Sequence, residues 1–212
     1  MTDPAPPPLT AADFQSATGI APGVFDRLQE YLSVLVAWQR RINLVGASTL
    51  RDPWRRHFLD SAQLAPLVRS EDKIVADIGS GAGFPGMVLA IMGVGGVHLI
   101  ESNKRKCQFL REVAAATETP VHVHLCRAEE MPPLSADLVV ARAVACLDRL
   151  LQYASRHLRS GGRCLFLKGR SAQRELTDAK KRWRIESQVI RSRSDPLGTV
   201  LRLEGIARRH DR

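Results

Sequence analysis

A chain of 212 residues with 44% hydrophobic side chains can bury one sizeable core and carry a small appendage, which excludes two full catalytic domains. Its 31 Lys and Arg against 22 Asp and Glu leave a formal charge of +9, which points to a polyanionic partner, most economically nucleic acid. The single cysteines Cys107, Cys126, Cys146 and Cys164 form no CxxC pair, the N-terminus has no basic-then-apolar leader, and no stretch approaches a membrane span. A soluble protein of the reducing cytoplasm, without disulfide framework, zinc site or membrane partner, is therefore expected.

Residues 1–9 hold four prolines and little to bury, so a disordered lead is expected. Thr10 is placed to cap a helix from Ala11. Over residues 20–40, Phe25, Leu28, Leu32, Leu35 and Val36 recur at helical spacing, and a third helix is predicted from Pro53 through DSAQLAPLV. Residues 10–70 thus read as a helical extension, expected to pack as one domain with the core that follows over 71–212. From Lys73 the rhythm becomes strand (KIVADI), glycine turn, helix (FPGMVLAIM), strand (GGVHLIE), helix (NKRKCQFLREVAAAT), then strands VHVHLC and ADLVVARA. Helix LDRLLQYASRHL, strand GGRCLFLKG and a helix over 172–184 follow. Short apolar strands alternating with helices predict an α/β fold with a mainly parallel sheet covered on both faces. The closing strands RIESQVIRS and GTVLRLEGIA are joined by SRSDPLG, a connection short enough to require that they run antiparallel.

The segment DIGSGAGFPG, residues 77–86, lies between a strand and a helix, the nucleotide-binding corner of open α/β sheets. Gly79 and Gly81 allow a sharp turn and close approach to a ligand, Gly83 and Gly86 allow helix and sheet to pack closely, and Pro85 suits a first helical turn. Glu101 closes the next strand 24 positions after Asp77, where its carboxylate can accept from both ribose hydroxyls of an adenosine-containing cofactor. It could equally cap the following helix, and the two roles are compatible. The glycines are GxGxG, not GxGxxG, and no GK[ST] follows, which disfavours a dinucleotide or a triphosphate. S-adenosylmethionine, with adenosine and an amino acid but no pyrophosphate, fits better, and Asp77 gains an electrostatic role at its amino-acid end besides fixing the loop.

The strings RINLVG (41–46), HFLDS (57–61), DIGSGAGFPG (77–86), ESNKRKCQFLREV (101–113), RAEE (127–130), ARAVA (141–145) and LFLKG (165–169) together resemble the bacterial 16S ribosomal RNA (guanine-N7) methyltransferases, also called the glucose-inhibited division protein B family. The resemblance runs from about Phe25 to the C-terminus. It implies a class I S-adenosylmethionine-dependent methyltransferase fold with an antiparallel C-terminal strand. It also implies methyl transfer to N7 of one guanine in the 530 loop of 16S ribosomal RNA, free or within a 30S particle, and a monomer is expected. Carried over by motif, it implies cofactor contacts at Gly79, Phe84, Ala128, Glu129 and Arg142, beside Asp77, Gly81, Gly83 and Glu101 from the glycine segment and its neighbour. Val45 stands where members commonly have Thr, some members have Asp at Glu101, and SRSDPLGTVLRL is less family-like than the centre.

Neutral guanine already offers a lone pair at N7, so attack needs positioning and electrostatics and no base to remove a proton. Asn43, His57, Asp60, Arg142 and Lys168 are the candidates for the target-base side, the last two as cations at strand ends facing one crevice. For His57 and Asp60, a structural role linking the helical extension to the sheet stays open. Between Arg156 and Arg184, ten Lys or Arg face two acidic residues, as expected of a phosphate-tracking surface, and Trp183 reads as core. Two other readings remain: methylation of a different RNA base, against which the absence of an NPPY-like string argues, and a non-enzymatic ribosomal RNA-binding assembly factor.

Overall fold

The computed structural model describes residues 6–209. Helix α1 (Ala11–Thr18) starts at Thr10, whose hydroxyl accepts from the Asp13 N–H while the Asp13 carboxylate accepts from the Thr10 N–H, a capping box. Helix α2 is Pro22–Gln39. A 3₁₀ turn, Ala47–Arg51, leads into a π-helical turn, Trp54–Leu59, continued by the short α3 (Asp60–Ala62) and a 3₁₀ turn at Ala65–Leu67. The single helix predicted from Pro53 is therefore broken into π, α and 3₁₀ pieces. The π turn widens the backbone at the HFLD string, a feature common at functional sites.

The sheet has the order β3-β2-β1-β4-β5-β7-β6. Its strands are β1 (Val75–Ile78), β2 (Val97–Glu101), β3 (His122–Leu125), β4 (Ala136–Arg142), β5 (Leu158–Lys168), β6 (Trp183–Arg191) and β7 (Thr199–Arg208). The first five run parallel, and β7 is antiparallel to both β5 and β6. The connecting helices are α4 (Gly86–Ile91), α5 (Lys104–Ala116), α6 (Leu147–His157) and α7 (Ala172–Arg182). Because β1 leads outward to β2 while β4 lies on its other side, the chain changes direction at the carboxyl ends of β1 and β4, where open sheets bind ligands.

Two apolar clusters cover the two faces. Phe14, Leu28, Tyr31, Leu35, Trp54 and Phe58 join Met87, Leu89, Phe109 and Leu110 on one, so the helical extension shares a core with the sheet. Leu147, Leu150, Leu151, Leu176 and Trp183 cover the other. Residues 1–5 of the expected disordered lead lie outside the described residues. The rest of that lead is held, since the Leu9 N–H donates to Asp52 and Arg55 donates to the Pro7 carbonyl.

Three boundaries differ from expectation. Helix α4 begins at Gly86 with Pro85 as its N-cap, one step before the first turn. Helix α7 stops at Arg182 because burying Trp183 against the α6–α7 layer starts β6. Strand β5 begins at Leu158, and its pairing with β4 jumps from Ala136↔Leu158 to Leu138↔Arg163, so Arg159–Gly162 bulge out with Gly161 at φ 74°. Among the described residues no helix is long and apolar enough to cross a membrane, and no group of three metal-ligating side chains is placed to hold a metal.

Candidate active site

Over the carboxyl ends of β1, β2, β4 and β5 opens a cleft of about 730 Å³. Its floor at one end is the glycine turn. Gly79 and Gly81 have φ of 65° and 57°, a region that other residues enter only with strain. The Gly81 N–H donates to Glu101 Oε2 at 2.9 Å and the Asn103 N–H to Oε1 at 2.7 Å, so Glu101 ties the turn to the end of β2. Asn103, not Glu101, caps α5, accepting from the N–H groups of Arg105 and Lys106. Each Glu101 oxygen keeps a second lone pair, and the carboxylate lines the cleft. Ala128 and Glu129 also line the cleft, and the Ala128 carbonyl is bonded to His157 Nε2 at 2.8 Å.

Two residues expected to touch a cofactor lie beneath the cleft. Asp77 is fully buried; its Oδ2 accepts from the Gly86 N–H at 3.0 Å, and its Oδ1 has no partner among the described residues. Burial pushes its carboxyl up to about 7, against the pull of the Gly86 N–H. Asp77 therefore acts through the loop. Gly83 is glycine because Tyr31 fills the space: a Cβ there would come within 2.6 Å of the Tyr31 hydroxyl. Gly86 is as constrained, since a methyl group at its Cα would meet Asp77 and Leu99 at less than 3 Å. Tyr31, from α2, donates to the Ala82 carbonyl and stacks on Phe84 with ring centroids 5.2 Å apart. No local signal marks Tyr31, because its partner lies 51 residues away.

The other end of the cleft is a polar wall. Arg142, at the end of β4, donates to the Arg56 carbonyl (2.9 Å), to Asp60 Oδ2 (3.3 Å) and to His57 Nδ1 (3.0 Å), and lies 4.8 Å from the Phe84 ring centre. Because His57 Nδ1 accepts, the proton sits on Nε2 and is donated to Thr49 Oγ1 at 2.8 Å; that hydroxyl in turn donates to the Gly46 carbonyl. His57 is buried and stacked on Phe84, and burial, then the Arg142 and Arg56 charges, lower its pKa to about 3. It is a neutral orienter of Arg142. Asp60 Oδ1 accepts from the Ser194 hydroxyl at 2.6 Å and from Gln63, which brings the turn between β6 and β7 into the wall.

The structure corrects two target-side expectations. Asn43 does not line the cleft: it is exposed and, among the described residues, its side chain accepts only from Gln39, which also holds the loop by accepting from the N–H groups of Leu44 and Val45 and donating to the Val45 carbonyl. Lys168 lines the cleft but is not a free cation, being 2.7 Å from Glu175 and 3.0 Å from the Ala145 carbonyl. Glu175 also accepts from the Leu147 N–H, so this pair fastens the loop after β4 to α7. Sequence reasoning missed Tyr31, Arg56, Glu175 and Ser194, which act across long separations, and Gln39, which lies just before the RINLVG string that it fastens.

The donor set fits an adenosylmethionine at the glycine end: a turn open only to glycine, a carboxylate with spare lone pairs beside it, and an apolar floor of Ile78, Ile100 and Phe84. A family profile described as GidB, rRNA small subunit methyltransferase G, matches residues 25–195, which include the cleft-lining residues from Leu44 to Asp195. The chain belongs to this family. Among curated members, the ribosomal RNA small subunit methyltransferase G of Paramagnetospirillum magneticum is 54% identical over 90% of this chain and 93% of its own length. That of Rhodospirillum centenum is 52% identical over 96% and 94%. The fold also resembles solved structures at low identity. RsmC, a Thermus thermophilus 16S rRNA methyltransferase solved with AdoMet and guanosine, has a TM-score of 0.54 at 23% identity, covering 75% of this chain and 40% of its own. TYW2 of M. jannaschii, solved with AdoMet, gives 0.53 at 17%, covering 70% and 74%. The family profile leaves out α1 and β7, yet Phe14 of α1 packs 5.0 Å from Trp54 and so supports the family's HFLD turn from behind.

Proposed function

We propose that this protein transfers a methyl group from S-adenosylmethionine to N7 of a guanine in the 530 loop of 16S ribosomal RNA. Family membership supports the reaction class. One observation carries its assignment to this cleft: a single opening joins a glycine-and-carboxylate end suited to the cofactor with a second end walled by Arg56, Asp60 and Arg142. The cofactor, when bound, supplies an electrophilic methyl on a sulfonium. Glu101 holds the ribose hydroxyls, the glycine turn admits the adenosyl group against backbone, and Ala128 and Glu129 border the adenine.

On the target side, Arg142 donates toward the guanine's acceptor edge from a position fixed by His57, Asp60 and Phe84. Methylation at N7 puts positive charge on the guanine, and the Asp60 carboxylate stabilises it from the cleft wall. His57 takes no proton, being neutral with both ring nitrogens in hydrogen bonds. The partner is 16S ribosomal RNA, met in the cytoplasm by a monomer and presented within a 30S particle, with Lys106, Arg127, Arg56 and Arg170 around the cleft supplying phosphate contacts. Incubation with labelled adenosylmethionine and undermethylated 30S particles, followed by mapping of the modified base, tests this. Label at N7 of a 530-loop guanine is the expected result, and label on another base or on protein would overturn it.

A further inference from the structure

The turn between β6 and β7, residues 192–198, is held more firmly than a connector needs. The Ser192 N–H donates to the Gly198 carbonyl, and the Gly198 N–H to that of Asp195. The Leu197 N–H donates to Asp195 Oδ1, and the Ser194 N–H to Ser192 Oγ. Outward bonds then fasten it: Ser194 to Asp60, the Arg193 N–H to Gln63, the Arg193 guanidinium to the Ala17 carbonyl, and Arg56 to Asp195. Every polar side chain of the turn is thereby directed into it or back onto the body.

What remains at the tip is apolar. Pro196 is exposed, and Leu197 at 49% is the most exposed large hydrophobic side chain among those described. Its neighbours Asp195 and Gly198 line the cleft, so the tip stands on the rim of the target end. Cations flank it. The Leu197 N–H, and then Arg56 and Arg170, keep the Asp195 carboxyl below its usual range, and both arginines are exposed. An apolar point fixed rigidly between cations suits a nucleotide, whose base is flat and apolar on its faces and whose phosphates are anionic. A target base turned out of its stack leaves its neighbour with a bare face that an apolar side chain can cover. The family profile ends at Asp195, just before the tip.

We propose that Pro196 and Leu197 form a ledge that covers the base adjoining the target guanine, while Arg56 and Arg170 take the flanking phosphates. This rests on the reading of the cleft as an RNA methyltransferase site. The test compares wild type, Leu197→Ser and Leu197→Trp in methyl transfer to undermethylated 30S particles, with adenosylmethionine affinity and thermal melting measured alongside. Leu197→Ser should lower kcat/KM for the particle about fivefold, the order expected from uncovering part of one leucine, with cofactor affinity and melting unchanged. Leu197→Trp should recover at least wild-type kcat/KM, because an indole stacks on a base. Unchanged transfer by Leu197→Ser overturns the ledge. So does a Leu197→Trp protein as impaired as Leu197→Ser, since that marks a tight protein socket in place of a base. No transfer by the wild-type protein would instead overturn the underlying reading, and the ledge with it.

Discussion

Tyr31 shows how much of the cofactor end depends on one buried hydroxyl. It donates to the Ala82 carbonyl inside the glycine turn while its ring supports Phe84. Tyr31→Phe keeps the stack and removes the bond, which should destabilise the fold by about 1–2 kcal/mol and weaken adenosylmethionine binding by about tenfold. Urea unfolding and calorimetric titration would measure the two effects; a loss of stability with full cofactor affinity would show that the turn holds its shape without Tyr31. Glu101→Gln is nearly isosteric, but it turns an NH₂ toward either the Gly81 or the Asn103 N–H and so loses a loop bond as well as the carboxylate. Cofactor affinity should fall by about 10- to 100-fold on the same titration.

The buried titratable groups predict opposite responses to pH. Folded His57 resists protonation down to about 3, whereas the unfolded chain takes the proton near 6.5. Its contribution is therefore complete above about 6.5 and is lost as pH falls toward 3. Folded Asp77 keeps its proton up to about 7, whereas the unfolded carboxyl ionises near 3.8, so its contribution is complete below 3.8 and is lost as pH rises toward 7. Asp77→Asn can still accept from Gly86 and has nothing to ionise. Its stability relative to wild type should be more favourable at pH 8 than at pH 5 in paired urea titrations; equal differences would mean that Asp77 ionises normally in the fold.

Among the elements, the loop and turns around the target end are set by side chains outside them more than by their own sequences. Gln39, at the end of α2, holds residues 44–45 through three hydrogen bonds, and Leu44 and Val45 line the cleft. Gln39→Ala should cost about 1–3 kcal/mol and raise the KM for RNA more than that for adenosylmethionine, because the loop it frees borders the target end. Steady-state kinetics with each substrate varied would show the split. The π turn at Trp54–Leu59 plays a similar part: it presents His57 and Asp60 to Arg142 while Trp54 and Phe58 stay in the core beside Phe14. The helical period of this stretch was readable in the sequence. Its widening was not, because the fit of Phe58 and Trp54 against α1 and Phe84 decides it.

For the whole molecule, a net charge of +9 makes association with RNA dependent on released counterions. Raising salt from about 50 to 200 mM should weaken binding to 16S RNA by at least about tenfold, and adenosylmethionine binding far less, since the cofactor end offers hydrogen bonds and apolar surface. Filter binding and calorimetry across that range would check the contrast. Not all of the basic surface takes part. Lys168 is neutralised by Glu175 and Arg163 is buried against Asp72, so the run of cations after β4 overstates the charge available to phosphate.

The sequence by itself determined the alternation that builds the sheet, the glycine turn after β1, the carboxylate closing β2 and the family strings, because these depend on local spacing and backbone freedom. Tertiary structure decided which charges stay free, where the proton sits on His57, why Gly83 is glycine, and how the β6–β7 turn reaches the cleft. Those depend on atoms brought together across long stretches of chain, as in the Tyr31–Ala82 and Ala17–Arg193 bonds, and no local pattern records a partner that distant.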